Sequence, residues 1–511
     1  MRKFFKAVAV VTVFSVCEKT LGFLYRIYLS RTIGTEGVGA YQVALSVFAF
    51  LLTVICSGTP VTVSRLITKY RAENKPLNAH KVVSAGIFFT LIIAVPVCAL
   101  CYIAGDRLSF LFADRTSRKV FFIVLPGLIF TSVYSVLRGV FWGNKDFLPY
   151  SVIELLEELC MIIVGIFTIT FIHDKADRTL GAGIAVITSY IFSFSLAAIT
   201  FFARKNKLVN PKGEFKNLLT ASVPVTSMRT VNSLAVSLVA VILPNRLIAA
   251  GFTESQALSL FGAATGQAIP LLFIPSTLIG SFTLVLIPEI SENYYSRRDL
   301  YLKFDVEKAV KFTTLLSCLF IPVFSVLGDN IGIIVFDSYE CGEYLSASAF
   351  LVLFMSLSAI TTSILNSIGC EVQSLVFCII SGVFMLLSIW LLPAFIGIYA
   401  LLVGFSFVYV LTTVLNTAYI YKKCPQKPKI LKYLLLTFAA TVPTALLGAM
   451  LKKLLIDLLG IFFTFLTVSA AICVFYLALA VGFGLVSTEI VKTKFSGFMR
   501  KNLFRTKKGS T

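Results

Sequence analysis

Apolar runs of about 20 residues recur from one end of the chain to the other, separated by short polar stretches. A run of that length crosses the ~30 Å hydrocarbon core of a bilayer as one α-helix. The pattern predicts fourteen spans, at 8–30, 38–65, 82–104, 120–142, 149–172, 181–203, 217–243, 260–287, 310–327, 345–368, 373–392, 395–420, 433–451 and 461–486. The runs have helix length, not the roughly 10-residue alternation of an outer-membrane barrel strand. The expected fold class is therefore an all-α polytopic membrane protein.

Spans 1–6 and 7–12 follow one plan. Each set opens with a polar helix: the first carries Glu18, Lys19 and Arg26, and the seventh carries Ser222, Thr226, Arg229, Asn232 and Ser233 near one face. In each set the second helix runs into a Gly/Pro/Ser-broken stretch, SGTPVTVSRL at 57–66 and IPSTLIGSFTLVLIPEIS at 274–291. Six helices is an even number, so the pattern predicts two six-helix lobes related by a pseudo-two-fold axis along the membrane normal. The expected division is an N-terminal lobe at 1–203, a linker at 204–216 (RKNKLVNPKGEFK), and a C-terminal lobe at 217–424. Spans 13 and 14 at 425–486 lie outside the repeat, and a basic tail fills 487–511.

Composition supports this reading: 58% of residues are hydrophobic and 14% charged, against roughly 45–50% apolar in soluble domains. The net charge of +20 would point to nucleic acid in a soluble protein, but here the basic residues sit in loops between spans. With the N-terminus inside, inner segments hold 31 Lys and Arg and outer segments 10; the other four are intramembrane. That bias predicts a multi-pass protein of the cytoplasmic membrane with both termini cytoplasmic, and no nucleic-acid partner. The basic tail and inner loops are expected on anionic lipid headgroups. Quaternary structure is expected to be monomeric.

MRKFFKAVAVVTVFSVC has the basic start and apolar core of a signal peptide, but the apolar run continues past Glu18 and Lys19, which predicts a first membrane helix. Nearly all of the eleven cysteines fall inside predicted helices; Cys341 alone sits in a predicted outer loop, so no external disulfide framework is expected. Cys98 and Cys101 read as small apolar residues of one helix. The two histidines, His80 and His173, are far apart, and no metal site or cofactor is expected. No loop is long enough for a soluble catalytic domain, and the absence of a Gly-Lys dipeptide excludes a Walker A loop. An enzyme reading would rest on Asp174 and Asp177, the one close external carboxylate pair, on a short loop.

The chemistry lies in the intramembrane charges. Lys19, Arg26, Arg138 and Arg229, left unpaired, would cost on the order of 10–14 kcal/mol together. They are therefore paired, or reached by water and substrate. Candidate partners are Glu18, Glu154, Glu157 and Glu158, and the short hairpin between spans 4 and 5 predicts an Arg138–Glu157 ion pair. Glu154 and Glu158 lie one turn apart near a helix end, where water can reach them. Lys19 and Arg26, seven residues apart, share one helix face with Thr12, Ser15 and Gly22. Arg26 and Arg229 have no local partner in the sequence and are the leading anion ligands, with Lys19 next and Arg65 at the rim. Glu18, Arg138 and Glu157 are supporting residues. Two lobes, broken helices and buried charge are the marks of a secondary transporter, not of an enzyme.

The stretch LGFLYRIYLSRTIGTEGVGAYQVALSVFAFLLTVICSGTPVTVSRLITKY at 21–70 resembles the opening of the stage V sporulation protein B and oligosaccharide-flippase group. This group belongs to the multidrug/oligosaccharidyl-lipid/polysaccharide exporter superfamily, which includes the lipid II flippase. The matching residues are Leu21-Gly22, Tyr25-Arg26-Ile27, Gly34, Glu36-Gly37, Gly39, Tyr41-Gln42, Gly58, Pro60 and Ser64. Arg138-Gly139, Gly143, Pro149 and Glu157 follow, then IPEIS at 287–291. The resemblance implies a two-lobe V-shaped fold and outward movement of undecaprenyl-diphosphate-linked sugars, with Arg26, Arg65 and Arg229 as basic cavity residues. Members often carry an acidic residue late in helix 7; this chain has VAVILPNRL there, so ion coupling through that carboxylate does not carry over. The alternative within the superfamily is a cation-coupled multidrug antiporter, for which Glu18 or Glu157 would be the coupling carboxylate.

Overall fold

The computed structural model describes residues 2–172 and 174–485. The basic tail and His173 lie outside the described residues, as do the side chains of Thr12 and Asn232. The described residues form nineteen α-helices and no strand. The first eight are α1 (Arg2–Cys56), α2 (Thr59–Ala72), α3 (Pro76–Ala104), α4 (Arg115–Val124), α5 (Gly127–Gly143), α6 (Phe147–Phe171), α7 (Lys175–Ala203) and α8 (Phe215–Ala249). Next come α9 (Glu254–Phe261), α10 (Ile269–Leu272), α11 (Ile274–Tyr295), α12 (Asp299–Ile331), α13 (Tyr339–Ser348) and α14 (Leu351–Ser367). The last are α15 (Glu371–Leu391), α16 (Pro393–Ile396), α17 (Tyr399–Ser406), α18 (Thr412–Lys423) and α19 (Ile430–Gly482).

Eight helical stretches are long and apolar enough to cross a membrane, or ten if each of two bent pairs counts as one span. Two of the eight are far longer than one crossing needs, at 59 and 53 residues, and each contains a glycine in the left-handed region. Gly34 (φ 73°) divides α1 and Gly460 (φ 71°) divides α19, so each long helix is two spans. A side chain at these φ values would crowd the following carbonyl, so glycine permits a sharp reversal without a loop. The bent pairs α4–α5 (46°) and α13–α14 (58°) add two more crossings. The charged helices α6 (25 residues) and α8 (35 residues) lie where two further spans are predicted but are not among the stretches long and apolar enough to count.

The broken eighth span differs in detail from the sequence expectation. Its breaks fall earlier, as a wide π-helical stretch at Gly262–Ala268 and at Phe273, ahead of Pro275. Two further π-helical turns occur at Gly332–Phe336 and Phe407–Leu411. Cys341, expected in a loop, is buried in the first turn of α13.

By compactness the chain divides into two units, Met1–Gln267 with Ile389–Ala400, and Ala268–Ser388 with Leu401–Thr511. In the first unit, Val63, Val82, Val136, Leu137, Val140 and Ala197 form the tightest part of a core shared by α2, α3, α5 and α7. The stretch 204–216 is docked here by the Val209 amide on Ser84 Oγ (2.9 Å), an Arg204–Asp146 ion pair and one buried carboxylate. Glu214, 5% exposed, accepts from the Tyr70 hydroxyl (2.7 Å), Asn78 Nδ2 (3.1 Å) and Asn217 Nδ2 (3.1 Å). A buried carboxylate is stable only with such donors.

In the second unit α12 is the central post and both halves of α19 pack on it. The facing surface of α19 is small and polar, with Thr437, Thr441, Thr444 and Gly448 buried. Small residues let membrane helices approach closely, and polar groups join them. Tyr476 donates to the Leu315 carbonyl (3.0 Å), and Lys452 to the Val326 carbonyl (2.8 Å) and Asp329 (3.4 Å). Glu307 of α12 accepts from the Lys429 amide (2.9 Å) and the Tyr433 hydroxyl (3.2 Å) where α19 begins.

Candidate functional site

A cavity of about 290 Å³ lies inside the first unit, walled by α1, α5, α6 and α8. Its first wall is α1, with Glu18 from the half before Gly34 and Leu52, Thr53 and Cys56 from the half after it. Ser57, in the break between α1 and α2, adds to that wall. The second wall is α5, whose Thr131, Tyr134, Ser135 and Arg138 recur at helical spacing and so share a face. Opposite stand Glu154, Glu157 and Glu158 of α6, again three and four apart. Arg229 of α8 completes the lining.

The break after α1 is where α8 takes hold. Gly58 donates its amide to Thr226 Oγ1 (3.2 Å), and a Cβ at Gly58 would stand 2.7 Å from the Ser222 carbonyl oxygen. Only glycine lets α8 approach that closely. One turn on, Arg229 Nη1 donates to the Ser57 carbonyl oxygen (2.8 Å), a group freed by the break. The predicted polar face of α8 thus meets the predicted broken stretch of α1–α2.

Ionic pairing departs from the sequence expectation at one point. Arg138 pairs with Glu154 (3.5 Å), not with Glu157. Glu154 is one helical turn closer to the hairpin, and the guanidinium also lies over Trp142 at 5.3 Å, which draws it toward that end. Tyr150 hydrogen-bonds Glu154 from the same side. The carboxylate of Glu158 rests against Gly22, 2.8 Å from the place a Cβ would take, and interacts with Arg26. Arg26 does not line the cavity and, among the described residues, makes no ion pair within 4.0 Å, but it feels the charge of Glu158.

Of the sequence-predicted site residues, Glu18, Arg138, Glu157 and Arg229 line the cavity; Lys19, Arg26 and Arg65 do not. Lys19 and Arg65 are exposed. Sequence reasoning missed Thr131, Tyr134 and Ser135; the signal was there, as a polar stripe leading to Arg138 every three or four residues. Four polar atoms of the lining are buried with no partner: Ser57 Oγ, Thr131 Oγ1, Tyr134 Oη and Arg138 Nε. Buried polar groups are normally hydrogen-bonded, so these four, closed off from solvent, are the least satisfied polar atoms around the cavity. Among the described residues no group of three His, Cys, Asp or Glu side chains could hold a metal ion.

Comparison with known proteins agrees with this architecture. The chain is 22% identical to stage V sporulation protein B of Bacillus subtilis over 464 residues, 88% of this chain and 89% of the relative. The solved lipid II flippase MurJ, in an inward closed conformation, superposes with a TM-score of 0.70 at 16% identity, covering 92% of this chain and 98% of that one. An inward-facing multidrug resistance MATE family transporter of the MOP superfamily superposes with a TM-score of 0.65 at 15% identity, covering 80% of this chain and 93% of the other. The all-helical, multi-span fold is thus that of the MOP superfamily. A profile of the polysaccharide biosynthesis protein family matches residues 4–294, a stretch that holds every wall of the cavity, and the chain belongs to that family.

Proposed function

We propose that the protein is a flippase that moves undecaprenyl-diphosphate-linked envelope glycan precursors outward across the cytoplasmic membrane. The observation that carries this reading is the polar cavity inside membrane-spanning helices, with Arg229 at its wall. A guanidinium is a planar, permanently charged donor suited to phosphate oxygens. The sugar enters the cavity and the polyprenyl chain stays in lipid. Arg26, Lys19 and Arg65 supply positive charge along the approach. The lobes 1–203 and 217–424 alternate in exposing the site, as inverted or parallel repeats do in secondary transporters. The excess of Lys and Arg on alternate loops supports an orientation with both termini in the cytoplasm. Two negative charges moving outward then gain roughly 4–5 kcal/mol per 100 mV of inside-negative potential.

The test is translocation of labelled undecaprenyl-diphosphate-linked sugars in liposomes, comparing wild type with Arg229→Ala and Arg26→Ala. A protein that leaves the label on its starting leaflet is not a flippase for this class. A second reading, a cation-coupled multidrug antiporter, draws on the four carboxylates facing two guanidiniums in the cavity lining. Raised resistance to cationic dyes on expression, without glycan translocation, would select it.

A further inference from the structure

The lining of the cavity has a surplus of one sign and one hydrogen-bonding sense. Glu18, Glu154, Glu157 and Glu158 face it against Arg138 and Arg229. Arg138 is held by Glu154, and Arg229 turns one donor to Ser57. Arg26 and Lys19 are not part of the lining. What the wall offers a guest is therefore mostly carboxylate oxygen, which only accepts hydrogen bonds and has about four lone-pair sites per group. Tyr134, 5% exposed, lines the same space. The volume, about 290 Å³, is at the lower edge of the ~300–1,000 Å³ of small-molecule sites, so it suits one ring rather than an oligosaccharide.

Resting on the flippase reading, we propose that this cavity selects the sugar adjoining the diphosphate by its donors. It accepts hydroxyl, amide or ammonium groups and excludes a carboxylate. A sugar hydroxyl places its proton on a glutamate oxygen and loses little on leaving water. A uronate carboxylate has no proton to give and would be held in a partly dry space against like charges, where repulsion is far less screened than in water. Glu18 and Glu157, neither ion-paired like Glu154 nor packed against Gly22 like Glu158, are the specificity-determining pair. Arg229 serves the anionic part of every donor alike.

Liposomes holding the protein are supplied with three undecaprenyl-diphosphate-linked monosaccharides: N-acetylglucosamine, glucosamine and glucuronate. The neutral and amine-bearing donors are expected to cross at least tenfold faster than the uronate. Glu18→Gln with Glu157→Gln should shrink that ratio to threefold or less. Arg229→Ala should slow all three and preserve it. A uronate that crosses as fast as its neutral counterpart, or a ratio untouched by the glutamine variant, overturns the proposal and leaves the flippase reading standing. If none of the three crosses, the flippase reading fails first, and thermal stabilisation of detergent-solubilised protein by the same lipids decides this one. Stabilisation by the neutral and amine donors but not by the uronate supports it; equal stabilisation by all, or none by any, overturns it.

Discussion

Arg229 Nη1 reaches the Ser57 carbonyl oxygen at 2.8 Å, joining two positions 172 residues apart. A charged donor in a membrane helix and a carbonyl freed by a helix break satisfy each other. Neither helix gives up its own hydrogen-bond ladder to make the contact. The side chain is nonetheless exposed on one side, so its remaining donors face the cavity.

From that exposure comes the first expectation. Arg229→Ala should lower translocation of a polyprenyl-diphosphate donor at least tenfold and cost about 1–2 kcal/mol of folding stability, since the Ser57 carbonyl loses a charged donor. Arg229→Lys keeps the charge but loses the bidentate fork, so an intermediate rate is expected. Parallel transport and melting measurements check both.

Arg138 and Glu154 should behave as a structural pair. Their side chains are only 31% and 20% exposed, so removing one strands the other. Arg138→Ala is expected to destabilise by about 1–3 kcal/mol, and adding Glu154→Gln should restore part of that loss, because the stranded charge is gone. Melting of the two single variants and the double variant gives the coupling directly.

Glu214 predicts the behaviour of the stretch 204–216. Glu214→Ala leaves the Tyr70 hydroxyl and two asparagine amides without their acceptor, which should cost about 2–4 kcal/mol. Glu214→Gln keeps one oxygen and should cost less. Limited proteolysis is the readout: cleavage between Arg204 and Gly213 should accelerate in the alanine variant and hardly change in the glutamine variant.

The crossing of α1 with α9 is close enough to lock. Thr35 Oγ1 lies 2.5 Å from Ser259 Oγ, and Ser255 donates to Glu36 at 2.6 Å one turn away. Thr35→Cys with Ser259→Cys should form a disulfide under mild oxidation, detected as a linked peptide pair by mass spectrometry; its absence would contradict the crossing. At the same crossing, a Cβ on Gly39 would overlap the Leu258 carbonyl oxygen. Gly39→Val should destabilise by about 1–3 kcal/mol through overpacking, measured as a lower melting temperature.

Much of the molecule was legible in the amino-acid order. The all-helical, multi-span fold followed from apolar run length, because a chain crossing a bilayer must satisfy its backbone internally. The intramembrane charges marked Glu18, Arg138, Glu157 and Arg229 as residues needing a polar surrounding, and the structure places all four on one cavity. The threonine–tyrosine–serine stripe of α5 was equally readable and was overlooked only because none of those residues is charged.

Other features had no local signature. The choice of Glu154 over Glu157 by Arg138 depended on how far α5 and α6 slide past each other, and Trp142 helped fix that. Arg26 fell outside the lining while Glu158, lying against Gly22, fell on it, although both sit on charged membrane helices. Sequence by itself determined which elements form and which residues cannot face lipid, since both follow from transfer energies of single side chains. Only the tertiary structure decided which charge meets which, because pairing energy falls steeply with distance and a shift of one helical turn reassigns every partner.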